Sequence, residues 1–454
     1  MVKKEKVFPS LGFSAIVFFL LILPPFIISA NNNESDEKLP TPNERILVRL
    51  TNNLSESASF EAGEKLIHNF LKRNRIKGAT VSVMHKGKLV YAKGFGYSDV
   101  EKEEEVEPYH IFRIASASKW VTALGIMKLV QEEKLTLDDY VFADSAWLAN
   151  EPYTEVMKDP NYNRVQIKHL LYHTAGWNSN VMGDPMFKPT EYAKRIGHEG
   201  EITQDDIFAF SLYYKLPYRP GTRYSYSNVG YAFLGRIIEK ASGMGYEEYI
   251  KSEILTPLGI KDMRLTVKSP DQKSFPEVEY YDHDGENVRS NAYGLEGKAS
   301  RIYEGTHYDA LEGAGAWAAS PSDLLKLLAA SDGDDRMPDF LRKDIVEQMI
   351  TPTNPGNSFI GWVDVHEDQW KRTGTLIGTN TLLMRYNEDI SYCIVTNTST
   401  WKGGRTNTEL QWLMSQFVKS VDEWPEHNLF HYYELDPVQT VSNLGFKGLS
   451  VETF

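Results

Sequence analysis

The chain has 454 residues, 41% of them hydrophobic, a formal net charge of -13 and a single cysteine. That length suits one large core or two ordinary ones, and the lone Cys393 excludes an intrachain disulfide. Both charge signs are spread along the sequence with no basic stripe, which argues against a nucleic-acid partner and against a polybasic membrane patch.

Lys3, Lys4 and Lys6 precede an apolar run over residues 11–28, followed by Ser29-Ala30 and the polar Asn31-Asn32-Asn33. This is the layout of an export signal, so residues 1–30 read as a signal peptide cleaved after Ala30 or as an uncleaved N-terminal anchor. Pro24-Pro25 interrupt the run and favour cleavage. An exported protein, periplasmic or secreted, is expected on either reading, and the anchor would be its one contact with a membrane. Residues 31–58, with Pro40 and Pro42, read as a polar linker.

A helix is expected next, from Phe60, Leu66, Ile67, Phe70 and Leu71 at helical spacing. Residues 79–84 and 88–94 flank a short turn containing Gly87 and predict a hairpin. There follows Phe112-Arg113-Ile114-Ala115-Ser116-Ala117-Ser118-Lys119-Trp120, with Val121, Leu124, Ile126, Met127 and Val130 in a dense apolar pattern. On a helix Ser116 and Lys119 share a face, so the amine reaches the hydroxyl. Burial of that helix would desolvate Lys119, and a desolvated lysine can take a serine proton.

Residues 152–270 read as an all-helical subdomain, with the clearest helix at 229–242. His169 and His173 stand four apart, but Leu170 occupies the place of a metalloprotease glutamate, so packing or capping is expected of them and no metal or cofactor. The segment 220–231 contains Tyr226-Ser227-Asn228, a phenol that can move a proton and an amide that can orient a lysine and a substrate carbonyl. Residues 269–312 are polar, with Tyr280, Tyr281, Tyr293, Tyr303 and Tyr308, and read as a lid-like loop whose aromatics stack on the surface or, alternatively, line a cleft. Ser320-Pro321-Ser322-Asp323 is a helix start, with serine as cap and proline in the first turn. Arg372-Thr373-Gly374-Thr375 precedes the apolar Leu382-Leu383-Met384 and is placed on a strand beside the site, where Gly374 admits substrate backbone. Residues 361–365, 379–386 and 391–396 read as meander strands, 410–418 as a closing helix, and 421–454 as a tail of unassigned role.

The three stretches, Ser116 to Lys119, Tyr226 to Asn228 and Arg372 to Gly374, occur in an order that resembles the serine β-lactamase and penicillin-binding-protein superfamily, with its class C β-lactamases, D,D-carboxypeptidases and esterases. Leu137-Asp138-Asp139, 170–177 and Gly313-Ala314-Gly315-Ala316-Trp317 add family-like wording. The resemblance implies an α+β fold of the β-lactamase/transpeptidase type over residues 59–420: an antiparallel sheet flanked by helices, a helical subdomain, and the site in the cleft between them. It also implies a serine hydrolase acting on amide or ester bonds of a small-molecule or peptide substrate. Ser116, Lys119 and Tyr226 would be catalytic, and Asn228, Arg372, Thr373, Gly374 and Thr375 would bind substrate. The backbone N–H groups of Ser116 and Thr375 would form the oxyanion hole.

One position departs from the family pattern, because Arg372 stands where lysine or histidine is usual and cannot exchange a proton. Its fork suits a substrate carboxylate or, equally, an acidic side chain. The alternative to an enzyme is a ligand-binding or interaction protein that keeps the fold without turnover; the joint presence of Ser116, Lys119 and Tyr226 argues against it. No Gly-x-Ser-x-Gly elbow and no phosphate-binding glycine loop occurs.

Overall fold

The computed structural model describes residues 49–433 except 284 and 286, so the expected export signal over residues 1–30, the expected linker up to residue 48 and the tail from residue 434 lie outside the described residues. In chain order the strands are β1 (Gly78–His85), β2 (Lys88–Asp99), β3 (Glu104–Glu105), β4 (Phe112–Arg113), β5 (Arg264–Leu265), β6 (Val288–Ser290), β7 (Lys298–Ser300), β8 (Trp317–Ala319), β9 (Asp364–His366), β10 (Gln369–Leu376), β11 (Thr379–Arg385) and β12 (Ile390–Thr396). Seven of them form an antiparallel sheet in the order β3-β2-β1-β12-β11-β10-β9. The hairpin between β1 and β2 turns at Lys86 and Gly87, whose positive φ values of 50° and 77° suit a two-residue turn matched to strand twist.

Side chains alternate across the sheet, and so does the core. Val81, Val83, Leu382, Met384, Tyr392 and Ile394 face one side, against Ile67 and Phe70 of helix Glu61–Asn74 and Leu413 and Phe417 of helix Thr406–Lys419. Their chain neighbours Leu383, Cys393 and Val395 face the other, against Leu324, Leu325 and Leu328 of helix Pro321–Ala329. Each such buried side chain contributes about 1.5–3 kcal/mol of transfer free energy. Cys393 is a packed thiol, and burial pushes its pKa well up. Ser320 caps its helix as expected, and a capping box with Asp323 completes the start.

On the far side of helix Ser118–Gln131 stands the helical body, including Gln204–Tyr213, Asn228–Ser242 and Tyr246–Ile250. The fold is thus α+β of the β-lactamase/transpeptidase type, and Ser118–Gln131 is buried along most of its length between sheet and body. The body is not purely helical, since it closes with β5, which pairs with β8, as β4 also does.

Two local expectations need correction. Of residues 361–365 only the last two join a strand: Gly361 has φ of 80°, and Trp362 turns inward to lie 5.3 Å from the Trp120 ring. The polar stretch 269–312 forms the β6–β7 hairpin and helix Tyr308–Gly315, and three of its five named tyrosines leave the surface, while Tyr281 and Tyr303 are half-buried. Tyr280, Tyr293 and Tyr308 are buried because each hydroxyl finds a partner inside, so the rings add packing without stranding a polar group.

Both ends of the described chain pack back beside the sheet and its helix Pro321–Ala329. Asn52 bonds the Val106 carbonyl at 2.8 Å and accepts from the Gly94 amide at 2.7 Å. Leu429 and Phe430 are buried, and the Tyr433 hydroxyl donates to Asp323 at 3.0 Å.

Candidate active site

Ser116 stands on a single 3-10 turn, Ala115–Ala117, that joins β4 to helix Ser118–Gln131. The turn is strained: Ala115 has φ of 49°, a left-handed conformation that costs a residue with a Cβ about 1–2 kcal/mol. Strand β10 presses on it from the sheet. A Cβ at Gly374 would collide with the Ile114 carbonyl, so only glycine allows this approach. Gly374 therefore admits the Ser116 turn itself, a close approach beyond the one to substrate backbone expected of it.

Two groups converge on the Ser116 Oγ: the Tyr226 hydroxyl donates to it at 2.8 Å, and the Lys119 Nζ lies 3.3 Å away. Lys119 is fully buried, and its amine also donates to Asn228 Oδ1 at 2.8 Å and to the Ala314 carbonyl at 2.5 Å. Burial pushes the amine below the ordinary lysine range; Tyr226 pulls the other way, and Arg372 adds to the drop. For Tyr226, burial alone would raise the phenol, but the charges of Lys119 and Arg372 outweigh it and leave the phenol below the ordinary tyrosine value. The Tyr226 residue as a whole is 38% exposed, which leaves one side of its ring on the cleft while its hydroxyl points to Ser116.

Tyr226 and Asn228 are held by the start of helix Asn228–Ser242, where the Ser227 side chain caps the Gly230 amide. His173 packs its ring 4.6 Å from that of Tyr226 and accepts the Ser227 amide on Nδ1. Burial, together with Lys119 and Arg372, keeps His173 well below its ordinary pKa, so it serves as a neutral acceptor. His169 closes the capping box of helix Ile167–Leu171. Among the described residues no group of three or more His, Cys, Asp or Glu is arranged to hold a metal.

The third stretch lies on β10 beside the site. Its Arg372 is not paired with an acidic side chain among the described residues, and the guanidinium is buried. Nε donates to the Ser116 carbonyl at 2.9 Å, and Nη2 donates to the same oxygen. Thr373 and Thr375 lie on the other face of the strand, and the Thr375 hydroxyl accepts from Asn407 Nδ2 at 2.9 Å. β9 pairs with β10 only as far as Lys371, and the Val363 amide donates to the Lys371 carbonyl. Backbone groups alternate edges along a strand, so Thr373 and Thr375 turn their N–H groups to that same edge, beyond the reach of β9.

Residues 64–415 match the family model described as Beta-lactamase. The chain belongs to the beta-lactamase family. Its relatives there include penicillin-binding protein 4* of Bacillus subtilis (strain 168), 29% identical over 322 residues that cover 68% of this chain and 65% of that protein, just under two thirds of its length. Among solved structures, an octameric penicillin-binding protein homologue from Pyrococcus abyssi superposes with a TM-score of 0.59 at 26% identity, covering 80% of this chain and 79% of the other. The D-amino acid amidase of Ochrobactrum anthropi SV3 complexed with L-phenylalanine shares the fold at 21% identity and a TM-score of 0.59, over 80% and 99% of the two chains.

The three motif stretches leave out two members of the site, the first of which lies in the family-like wording at 313–317. One is the Ala314 carbonyl, brought to Lys119 because Gly313 lets helix Tyr308–Gly315 approach Asn228–Ser242; a Cβ at Gly313 would strike the Tyr231 carbonyl. The other is Asp184, whose carboxylate accepts Asn228 Nδ2 at 2.8 Å and so turns Asn228 Oδ1 to Lys119. It comes from a loop with no spacing relation to the motifs, and no sequence pattern announces it. Burial raises its pKa, opposed by the Asn228 bond. Asp184→Ala frees that amide to rotate, and kcat on an ester substrate should fall about tenfold, the worth of one charged hydrogen bond. An unchanged kcat would show that Asn228 needs no such support.

Proposed function

We propose that the protein is an exported serine hydrolase that cleaves amide or ester bonds of a small-molecule or peptide substrate through an acyl-enzyme on Ser116. The observation that carries this reading is the convergence of the Tyr226 hydroxyl and the buried Lys119 amine on one serine oxygen. Attack forms a bond from Ser116 Oγ to the substrate carbonyl carbon, while the carbonyl electron pair moves to oxygen and the Oγ proton passes to the Tyr226–Lys119 pair. The N–H groups of Ser116 and Thr375 would stabilise that oxyanion, a charge that exists only at the tetrahedral stage. Collapse breaks the bond to the leaving group, which takes the proton. Water then repeats the sequence at the acyl carbon and frees Ser116 and the acid. Asn228 holds Lys119 and a substrate amide or carbonyl, and Thr373 to Thr375 lie alongside the bound chain.

A fluorophosphonate probe tests this directly. Intact protein should gain one adduct, mapped to Ser116 by peptide mass spectrometry, and should hydrolyse a nitrophenyl ester. No adduct and no hydrolysis would remove the proposal and leave the non-catalytic reading of the fold. The acid limb of kcat/KM should report the Tyr226–Lys119 pair: as pH falls the base gains its proton and rate is lost. Because both groups are lowered, the limb should lie below ordinary lysine and tyrosine values. Export rests on the charged, apolar and small-residue succession of residues 1–30. Terminal sequencing of the native protein should begin near Asn31; Met1 intact in a membrane fraction would mean an anchor.

A further inference from the structure

Arg372 is a guanidinium that a substrate carboxylate would be expected to seek, yet the geometry points to another use: we infer that Arg372 is an internal clamp on the nucleophile turn, and that the substrates of this hydrolase therefore need no carboxylate. The inference rests on the hydrolase reading above and names its substrate class, neutral esters or amides.

The placement follows from the strand. Trp370, Arg372 and Gly374 are the buried positions of β10, and they share the face that packs on the body. Gly374 brings the strand against Ala115–Ala117, and Arg372, two residues away, reaches under the same turn to hold the Ser116 carbonyl with Nε and Nη2. The side chain is 2% exposed and has no acidic partner among the described residues. A carboxylate from the cleft could take the fork only by stripping it from Ser116, which would orphan a carbonyl and release a turn already strained at Ala115. A charge left unpaired by acids serves where it is: it faces Lys119, Tyr226 and His173, and favours the unprotonated form of each. The Asp184 carboxylate acts on Lys119 in the opposite sense, from the far side of Asn228.

The test uses the full-length protein and one matched pair of substrates, a small acyl thioester whose leaving group carries a free carboxylate and the same compound blocked as its methyl ester. Wild type should cleave the blocked compound at least as well as the free acid. Arg372→Met should lower kcat on both by the same factor, roughly tenfold or more, leave the ratio of the two KM values unchanged, and move the acid limb to higher pH because the positive field on the base is gone. Arg372→Lys should bring the limb part of the way back, which a purely structural role would not do. A wild-type preference of tenfold or more for the free acid overturns the inference, whether or not Arg372→Met folds. So does a variant that loses the free acid alone. Wild type that neither cleaves either compound nor reacts with fluorophosphonate overturns the hydrolase reading itself, and this inference with it.

Discussion

Ser116→Ala is expected to lower ester and amide turnover by roughly ten-thousand-fold or more and to abolish fluorophosphonate labelling. The hydroxyl is the meeting point of Tyr226 and Lys119, and without it neither group has a nucleophile to activate. The loss should not come from unfolding. Ser116 is only half-buried, and its backbone carbonyl, which Arg372 and the start of the helix use, stays in place. Groups that act as a unit are not additive, so Lys119→Met should cost nearly as much, and the double variant little more than either. Retention of more than about a hundredth of wild-type turnover in Ser116→Ala, far above that expectation, would mean that another group attacks the substrate. A double variant that multiplies the two losses would mean that Lys119 acts apart from Ser116.

What the sequence made legible here was local or periodic. Ser116 and Lys119 are three residues apart, Tyr226 and Asn228 two, and the alternation of 79–84 and 391–396 is the alternation of the two cores, so these features survive in one dimension. The order of the three stretches carried the fold through resemblance. Contacts that join distant segments by close approach were not legible. Asp184 reaches Asn228 from a loop 44 residues earlier, and the Ala314 carbonyl reaches Lys119 across 195 residues. Arg372 illustrates the limit of residue type as a guide: a guanidinium suits any paired acceptor, and here the acceptor is a backbone carbonyl that only the fold brings near. The tyrosines of 280–308 were misplaced for a related reason. A polar, glycine-rich stretch looks solvated until the cation that organises its aromatics is known to be Arg113.

That cation should be the costliest single side chain to remove. Arg113 is fully buried on β4, three residues before Ser116. Its guanidinium donates to Thr266 Oγ1 at 2.8 Å, to the Ile302 carbonyl at 2.5 Å, to the Tyr308 hydroxyl at 2.6 Å and to the Val267 carbonyl at 3.1 Å. It also lies 4.2 Å from the ring centroids of both Tyr280 and Tyr308, a desolvated setting in which cation–π attraction reaches about 2 kcal/mol. Glu277 completes the cluster, accepting from Thr266 at 2.8 Å and Tyr280 at 2.9 Å while its second oxygen has no hydrogen bond. Arg113→Met keeps the volume but takes the guanidinium donor from the Val267 carbonyl and leaves the Glu277 carboxylate to Arg264, 3.6 Å away, and to the more distant Lys273. Loss of one partner from a buried charged network typically costs about 3–5 kcal/mol, and chemical denaturation should register a loss of that size. Activity should fall too, since the Arg113 carbonyl accepts from Thr379 of β11 at 2.6 Å and its amide donates to Tyr280, so that β4 registers the Ser116 turn against the sheet. If the cost is the stranded charge, Arg113→Met with Glu277→Gln should be less destabilised than the sum of the two single variants. Additive losses would instead assign the whole effect to the neutral hydrogen bonds and ring contacts around the guanidinium.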